Sequence, residues 1–511
     1  MKLQTAMIFG ENMILQRQKP IPVWGRSVGG DTVTVTLGEQ TRATVAEGGE
    51  WRVTFDPMEA AEQTTMTVSS AITGESLSFR NVAIGEVWLA GGQSNMEFLL
   101  KYDVNAAQMR ETPADPSLRF FRYPQAAFLG QVERDAFPED GFWRLWNNDD
   151  NINHFSGPSA YMGRQLRKVL GVPVGFVGCN WGGSPATAWT DLESTRNNPK
   201  LQPVMDWYND ACAQLDLMEY ERVMLQPIPE DPPERKEMFE RFMMGEDMSK
   251  LMASGRRMAP PAQPAIGQFT IGPKSTVRPA GLYEYMLCKV APYAIRGAIW
   301  YQGEDDDARG WTSFYAESMK TLIESWRALW GWELPFLQVE LAPFGRAMGA
   351  PLHYAETRAQ QRMVPDMLPQ VHNACIMDVG DERLIHPRRK KQVGERLALL
   401  ARKYVYGESD LLADSPRLRD AQRSGSTVTL TFDNAGDGLY IRDSLYPALQ
   451  VRAGGAECRP SICVTGDRMT LQDAAFADGA QIEIAFAEQN YCVDTLYSSS
   501  DLPAFPFTVR L

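Results

Sequence analysis

The feature that most constrains this chain is a short apolar run that does not alternate. In "EVWLAGGQSNMEF", residues 86–98, Val87, Trp88, Leu89 and Ala90 follow one another with no polar residue between them. A half-solvated strand would alternate, so the run predicts a strand covered on both faces, as in parallel sheets flanked by helices. Gly91 and Gly92 then permit backbone angles that a side chain would forbid. Ser94 follows where the strand should turn over into a helix. A hydroxyl in that place can be a nucleophile, or it can cap the helix.

The sequence on either side frames this element. "TVTVTL" (32–37), "WRVTF" (51–55), "TMTVSS" (65–70) and "SLSFR" (76–80) are short alternating segments between turn residues. They predict a small sandwich-like β domain over 1–83. From residue 84 apolar strands at 86–90, 173–179, 296–301, 335–341 and 374–378 alternate with helical patterns, of which 312–331 and 387–407 are amphipathic. That alternation predicts an α/β domain over 84–408, built on a parallel sheet with helices on both faces. Between about 195 and 275 the pattern dissolves into Pro-, Met- and charge-rich sequence, expected to be a helical excursion or lid. Alternating segments return at 426–432, 448–453 and 481–487, which predicts a β-rich region over 409–511.

Composition excludes several function classes. The net charge is −13 and no basic run is sustained, so a nucleic-acid partner is not expected. The first twenty residues carry no apolar stretch long enough for a signal-peptide core, and no run approaches a membrane span. The seven cysteines are scattered, odd in number and without a CxxC pair, which argues against a disulfide framework or a zinc site. The expectation is a reduced, cytoplasmic protein with no membrane partner, metal or cofactor.

Open parallel sheets bind ligands beyond the carboxyl ends of their strands. The loops there read "GGQSNME", "NWGGSPATAW" (180–189), "QGEDDD" (302–307) and "VGDERLIHP" (379–387). Together they hold the parts for acyl transfer by a serine. A serine hydroxyl needs a base within reach. Of the four histidines, His154, His353, His372 and His386, the last alone sits just after an apolar strand and before a helix. An oxyanion needs donors placed in advance. The N–H groups of Ser94 and of Gly182 or Gly183, with the side-chain amide of Gln302, could supply them. Each piece also has a plain structural explanation: a helix cap, a packing histidine, a tight turn, a solvated acidic loop.

The same residues carry a resemblance. "GEVWLAGGQSNME", "WGGSPATAW", "IRGAIWYQGEDD" and "DERLIHPRRKKQVGERLA" resemble the sialate O-acetylesterase group of carbohydrate esterases in the SGNH hydrolase superfamily. "NMILQRQKPIPVWG" (12–25) and "LYSSSDLPAFPF" (496–507) resemble the beginning and end of such chains. The resemblance implies a three-layer α/β/α flavodoxin-like domain with flanking β-sandwich-like regions, removing O-acetyl groups from sugars without a metal. It assigns Ser94 as nucleophile, Gly182 or Gly183 as the oxyanion-hole glycine, and His386 as base. Gln302 stands where many relatives carry asparagine. The acid departs from the pattern. Three residues before His386 stands Arg383 and two before it Leu384. Asp381, with Asp378 behind it, is the expected acid, the alternative being a backbone carbonyl that orients the ring.

Gln93, Asn95, Trp181, Glu304 and Asp305 are the expected contacts to an acetylated oligosaccharide. Trp300 is either a further contact or core. Two other classes remain: a glycoside hydrolase using the 304–307 acids with Asp378 or Asp381, and a catalytically silent carbohydrate-binding protein.

Overall fold

A computed structural model describes residues 2–131, 140–226, 232–246, 270–346, 351–477 and 479–511. The chain divides into two compact units, Met1–Trp300 with Glu317–Phe336, and Tyr301–Ala316 with Leu337–Leu511. The architecture is mixed α/β.

In the first unit the N-terminal segments form the expected strands. Thr32–Leu37 pairs antiparallel with Gln40–Val45 and with Ala61–Ser70, and it buries Val33, Val35 and Leu37 while its threonines face outward. Ile21–Arg26 and Glu50–Phe55 pair in a second, three-stranded sheet.

One strand, Ser76–Gly92, runs seventeen residues and joins this β region to the central sheet. Its first half alternates in burial and pairs antiparallel with Ala61–Ser70. From Val82 onward every residue is buried, because the strand there lies inside a parallel sheet. The boundary expected at residue 83 therefore falls inside a continuous strand.

The central sheet of this unit has the order Trp143–Trp146, Asp115–Arg122, Val174–Asn180, Ser76–Gly92, Gly297–Tyr301. Val174–Asn180 is parallel to both of its neighbours, in a register that sets Asn180 opposite Gly92. Two strands thus end side by side, and the loops that follow them start together. The helix Gly157–Leu170, capped by Ser156 and ended by Gly171, precedes Val174–Asn180. In the 195–275 stretch the described residues form the helices Gln202–Ala213, Leu217–Met224 and Pro233–Met243. The remainder of that predicted excursion, 227–231 and 247–269, lies outside the described residues.

In the second unit Phe336–Val339 neighbours Val371–Ala374, with the helices Tyr354–Met367 and Lys390–Tyr404. The strand predicted at 374–378 ends instead at Ala374. Cys375 and Met377 are apolar for another reason. They pack into the core of the C-terminal β region with Leu430, Phe432, Met469, Leu471, Ile484 and Phe486. That region forms two four-stranded antiparallel sheets and a two-stranded one, and its core takes in Cys375 and Met377 from the loop after Val371–Ala374. The helix predicted from Pro387 begins at Lys390.

None of the seven cysteines forms a disulfide. Among the described residues no helix is long and apolar enough to cross a membrane.

Candidate active site

The serine end of the site starts where Ser76–Gly92 stops. Gly92 has φ +131°, a backbone conformation that L side chains rarely adopt, and it turns the chain out of the sheet. Gln93 is extended and takes the N-cap position of the short helix Ser94–Glu97 without a side-chain cap bond. Ser94 is therefore the first helical residue and not the cap. Ser94 and Glu97 are half-buried, whereas Gln93 and Asn95 are 3% and 1% exposed. The two amides expected to meet substrate lie in the interior.

The neighbouring strand end supplies the second part. The Trp181 N–H donates to the Gly92 carbonyl (3.1 Å), and Asn180 Nδ2 donates to the Ala90 carbonyl (3.0 Å). These bonds seat the 181–183 turn beside Ser94. A Cβ added to Gly182 would come within 3.2 Å of the Ser94 Cβ, so only glycine fits without displacement. The Gly182 N–H donates to Glu97 Oε2 (2.9 Å). Gly182 is thus corrected as an oxyanion donor, since its hydrogen is already used. Gly183, exposed and left-handed at φ +67°, is the remaining glycine of the pair. Trp181 is half-buried.

Sequence reasoning missed Glu97, although it lies one helical turn after Ser94. Its other oxygen accepts from Arg122 Nη2 (2.8 Å) and Gln125 Nε2 (3.1 Å).

Trp300 belongs to the core of the first unit, fully buried and edge-on to Trp189 and Trp326. In the second unit the "QGEDDD" loop is not a solvated acidic turn. Gln302 is fully buried, its Nε2 donating to Asp306 Oδ2 (2.5 Å) and its Oε1 accepting from the Tyr315 hydroxyl (2.9 Å). Oε1 and one of the two Nε2 hydrogens are thus engaged inside this unit. Asp305 is bound by Arg309 (2.5 and 3.3 Å); burial pushes its carboxyl up and Arg309 pulls it back. Glu304 is 6% exposed. Asp307 accepts from the Thr357 hydroxyl (2.9 Å) and the His353 N–H (3.1 Å).

The loop after Val371–Ala374 carries His386, the expected base. Asp378 is held by both terminal nitrogens of Arg396 (2.6 and 2.7 Å). Asp381 Oδ1 accepts from the N–H groups of Arg383 (2.8 Å) and Leu384 (2.9 Å), closing the turn that leads to His386. The Asp381 N–H donates to the Pro343 carbonyl, and the Gly345 N–H to the Glu382 carbonyl.

Burial pushes the His386 imidazole down to about 3, and the Lys390 cation adds to the effect. Lys390 is itself fully buried, its Nζ 5.2 Å from the Tyr301 ring centroid. The ring is therefore neutral at ordinary pH, the form that accepts a proton. Of the other histidines, His372 stacks on Tyr404 at 3.5 Å, and His353 Nδ1 lies 3.7 Å from Glu356.

Among the described residues no group of three or more His, Cys, Asp or Glu side chains is arranged to hold a metal ion.

With this geometry in hand, comparison with known proteins is informative. A family model described as "Carbohydrate esterase, sialic acid-specific acetylesterase" matches residues 265–402. That span includes Gln302 and His386. The sialate O-acetylesterase of Rattus norvegicus is 26% identical over 98% of this chain and 93% of its own length. That of Homo sapiens is 25% identical over 80% of this chain and 72% of its length. Among solved structures, a carbohydrate acetylesterase from Xanthomonas citri aligns with a TM-score of 0.75 at 26% identity, covering 99% of each chain.

Proposed function

We propose that the protein is a sialate O-acetylesterase-like carbohydrate esterase that hydrolyses acetyl esters on sugars, with Ser94 as its nucleophile and His386 as its general base. One observation carries this reading most directly. The Gly182 backbone packs against Ser94 so closely that a Cβ would lie 3.2 Å from the serine's own. A serine that was merely a cap would require neither that contact nor its place as first helical residue.

In the proposed reaction neutral His386 takes the Ser94 hydroxyl proton as the oxygen attacks the acetyl carbonyl. The N–H groups of Ser94 and Gly183 receive the oxyanion. The imidazolium returns its proton to the sugar oxygen, and the C–O bond to the sugar breaks. Water, deprotonated by the same ring, then attacks the acetyl-serine and releases acetate. Asp381 is the proposed acid of the triad, acting by shaping the loop and stabilising the imidazolium.

The finer fold follows the same reading: a three-layer α/β/α flavodoxin-like SGNH domain flanked by β regions. The substrate is an acetylated oligosaccharide, with the Trp181 indole as its apolar contact. Two of the acids a glycoside hydrolase would draw on, Asp305 and Asp378, are ion-paired with Arg309 and Arg396.

The deciding experiment measures acetate release by the wild type and Ser94→Ala on 9-O-acetylated sialic acid and on acetylated xylo- and manno-oligosaccharides. Release by the wild type alone supports the scheme and identifies the sugar. Equal release by both would overturn it.

A further inference from the structure

Glu97 is placed where three strand ends meet. It ends the four-residue helix that Ser94 begins. Its Oε2 takes the Gly182 N–H, from the turn after Val174–Asn180. Its Oε1 takes Arg122, the last residue of Asp115–Arg122, and Gln125, whose Nε2 also donates to the Asn180 carbonyl (3.2 Å). All three partners are donors, so only an acceptor on both oxygens satisfies them, and hydrogen bonds to an ionised acceptor are about twice as strong as neutral ones.

This arrangement selects between two neighbouring amides. Two successive glycines offer two N–H groups, and the Gly182 hydrogen is drawn to Glu97. Gly183 is exposed, and no atom lies within 4 Å of the place its Cβ would occupy. A carboxylate close to a developing oxyanion would repel it, and the Arg122 guanidinium on Oε1, which also faces Asp140 Oδ1 at 3.5 Å, offsets part of that charge. Glu97 thus fixes the turn at a reduced cost to the transition state.

Resting on Ser94 as nucleophile, we propose that Glu97 is a positioning residue for acetyl transfer. It holds the Gly182 amide against itself so that the Gly183 N–H serves as the oxyanion donor, with Arg122 offsetting part of its charge. A misplacement of about 1 Å costs on the order of a hundredfold in rate. Glu97→Ala should therefore lower kcat about a hundredfold. Glu97→Gln, which keeps one acceptor oxygen, should lower it about tenfold, and KM should stay within about threefold in both.

The test measures kcat and KM for acetate release, the rate of Ser94 labelling by a fluorophosphonate, and thermal unfolding, for Glu97→Ala, Glu97→Gln, Arg122→Gln and Ser94→Ala. Parallel losses in kcat and labelling rate, graded Ala below Gln, support the proposal. Wild-type kcat and labelling in Glu97→Ala, with Ser94→Ala inactive, overturn it. Should the Glu97 variants unfold, Arg122→Gln decides, because it leaves Glu97 in place: a kcat loss of about tenfold supports the proposal and wild-type kcat overturns it. Full turnover in Ser94→Ala would instead refute the nucleophile assignment, a separate failure.

Discussion

Gly182 lies against Ser94: the place of a Cβ on the glycine is 3.2 Å from the serine Cβ and 3.7 Å from its Cα. The Gly182 turn is tied down by the bond to Glu97 and by the Trp181–Gly92 bond, so a side chain on Gly182 would press on Ser94. Gly182→Ala is expected to lower kcat about a hundredfold, while overpacking costs about 1–3 kcal/mol of stability. Steady-state kinetics beside a urea melt separate the two. Wild-type kcat would mean that the serine tolerates displacement.

The pH dependence of turnover should be unusual on the acid side. Burial first, and the Lys390 cation second, push His386 down to about 3. The neutral base therefore persists well below the range of an ordinary histidine, and the acid limb of kcat/KM should lie below about pH 6. A nearby cation lowers an imidazole pKa, so removing it raises it. In Lys390→Met the limb should move to higher pH. A limb that stays fixed would mean that Lys390 does not act on the ring.

The two aspartates before His386 should behave differently. Asp378 is locked to Arg396, so Asp378→Asn is expected to cost about 2–4 kcal/mol of stability and leave kcat within about threefold. Asp381 closes the turn into His386 through the Arg383 and Leu384 amides. Asp381→Ala should lower kcat about tenfold or more, with a smaller stability loss of about 1 kcal/mol. Denaturant midpoints and kcat for both variants check the contrast, and the reverse pattern would make Asp378 the acid.

Glu86 is fully buried in the central strand between Arg296 (2.6 and 3.0 Å) and Arg17 (2.5 Å). Burial pushes its carboxyl up, and the two guanidiniums outweigh that and hold it below its ordinary value. A depressed carboxylate contributes stability above its unfolded pKa, and the contribution is lost as pH falls. Arg296→Met leaves the charge half-paired and should cost about 3 kcal/mol near pH 7. The deficit should shrink toward pH 4 as Glu86 protonates. Urea midpoints at both pH values test this, and an equal deficit at each would mean that Glu86 carries no charge in the fold.

How much was legible depends on whether the signal is local. The unalternating run at 87–90 identified the buried central strand, and its glycines located the turn that exposes Ser94, because chain direction and φ are set by neighbouring residues. The loop pattern also singled out His386, the one histidine between an apolar strand and a helix, and the resemblance added the O-acetylated sugar as the expected substrate class. Several site residues were mistaken for contacts because composition marks polarity without marking partners. Asp305 reads as a sugar contact with no sign of its ion pair to Arg309, and Gln302 as a donor with no sign that Asp306 and Tyr315 hold its amide in the interior.

The sequence alone determined the alternation of strand and helix, the buried run and the serine at its end, since each follows from a period of a few residues. Only the tertiary structure decided which N–H of Gly182 and Gly183 is spent, that Glu97 gathers three strand ends, and that Lys390 stands near His386. It also decided that residues 409–511 share a core with Cys375 and Met377. Those relations join residues from different strands or loops. Their hydrogen bonds and charges exist only once the parallel register of Gly92 and Asn180, and the packing around each loop, have brought the partners within a few ångströms.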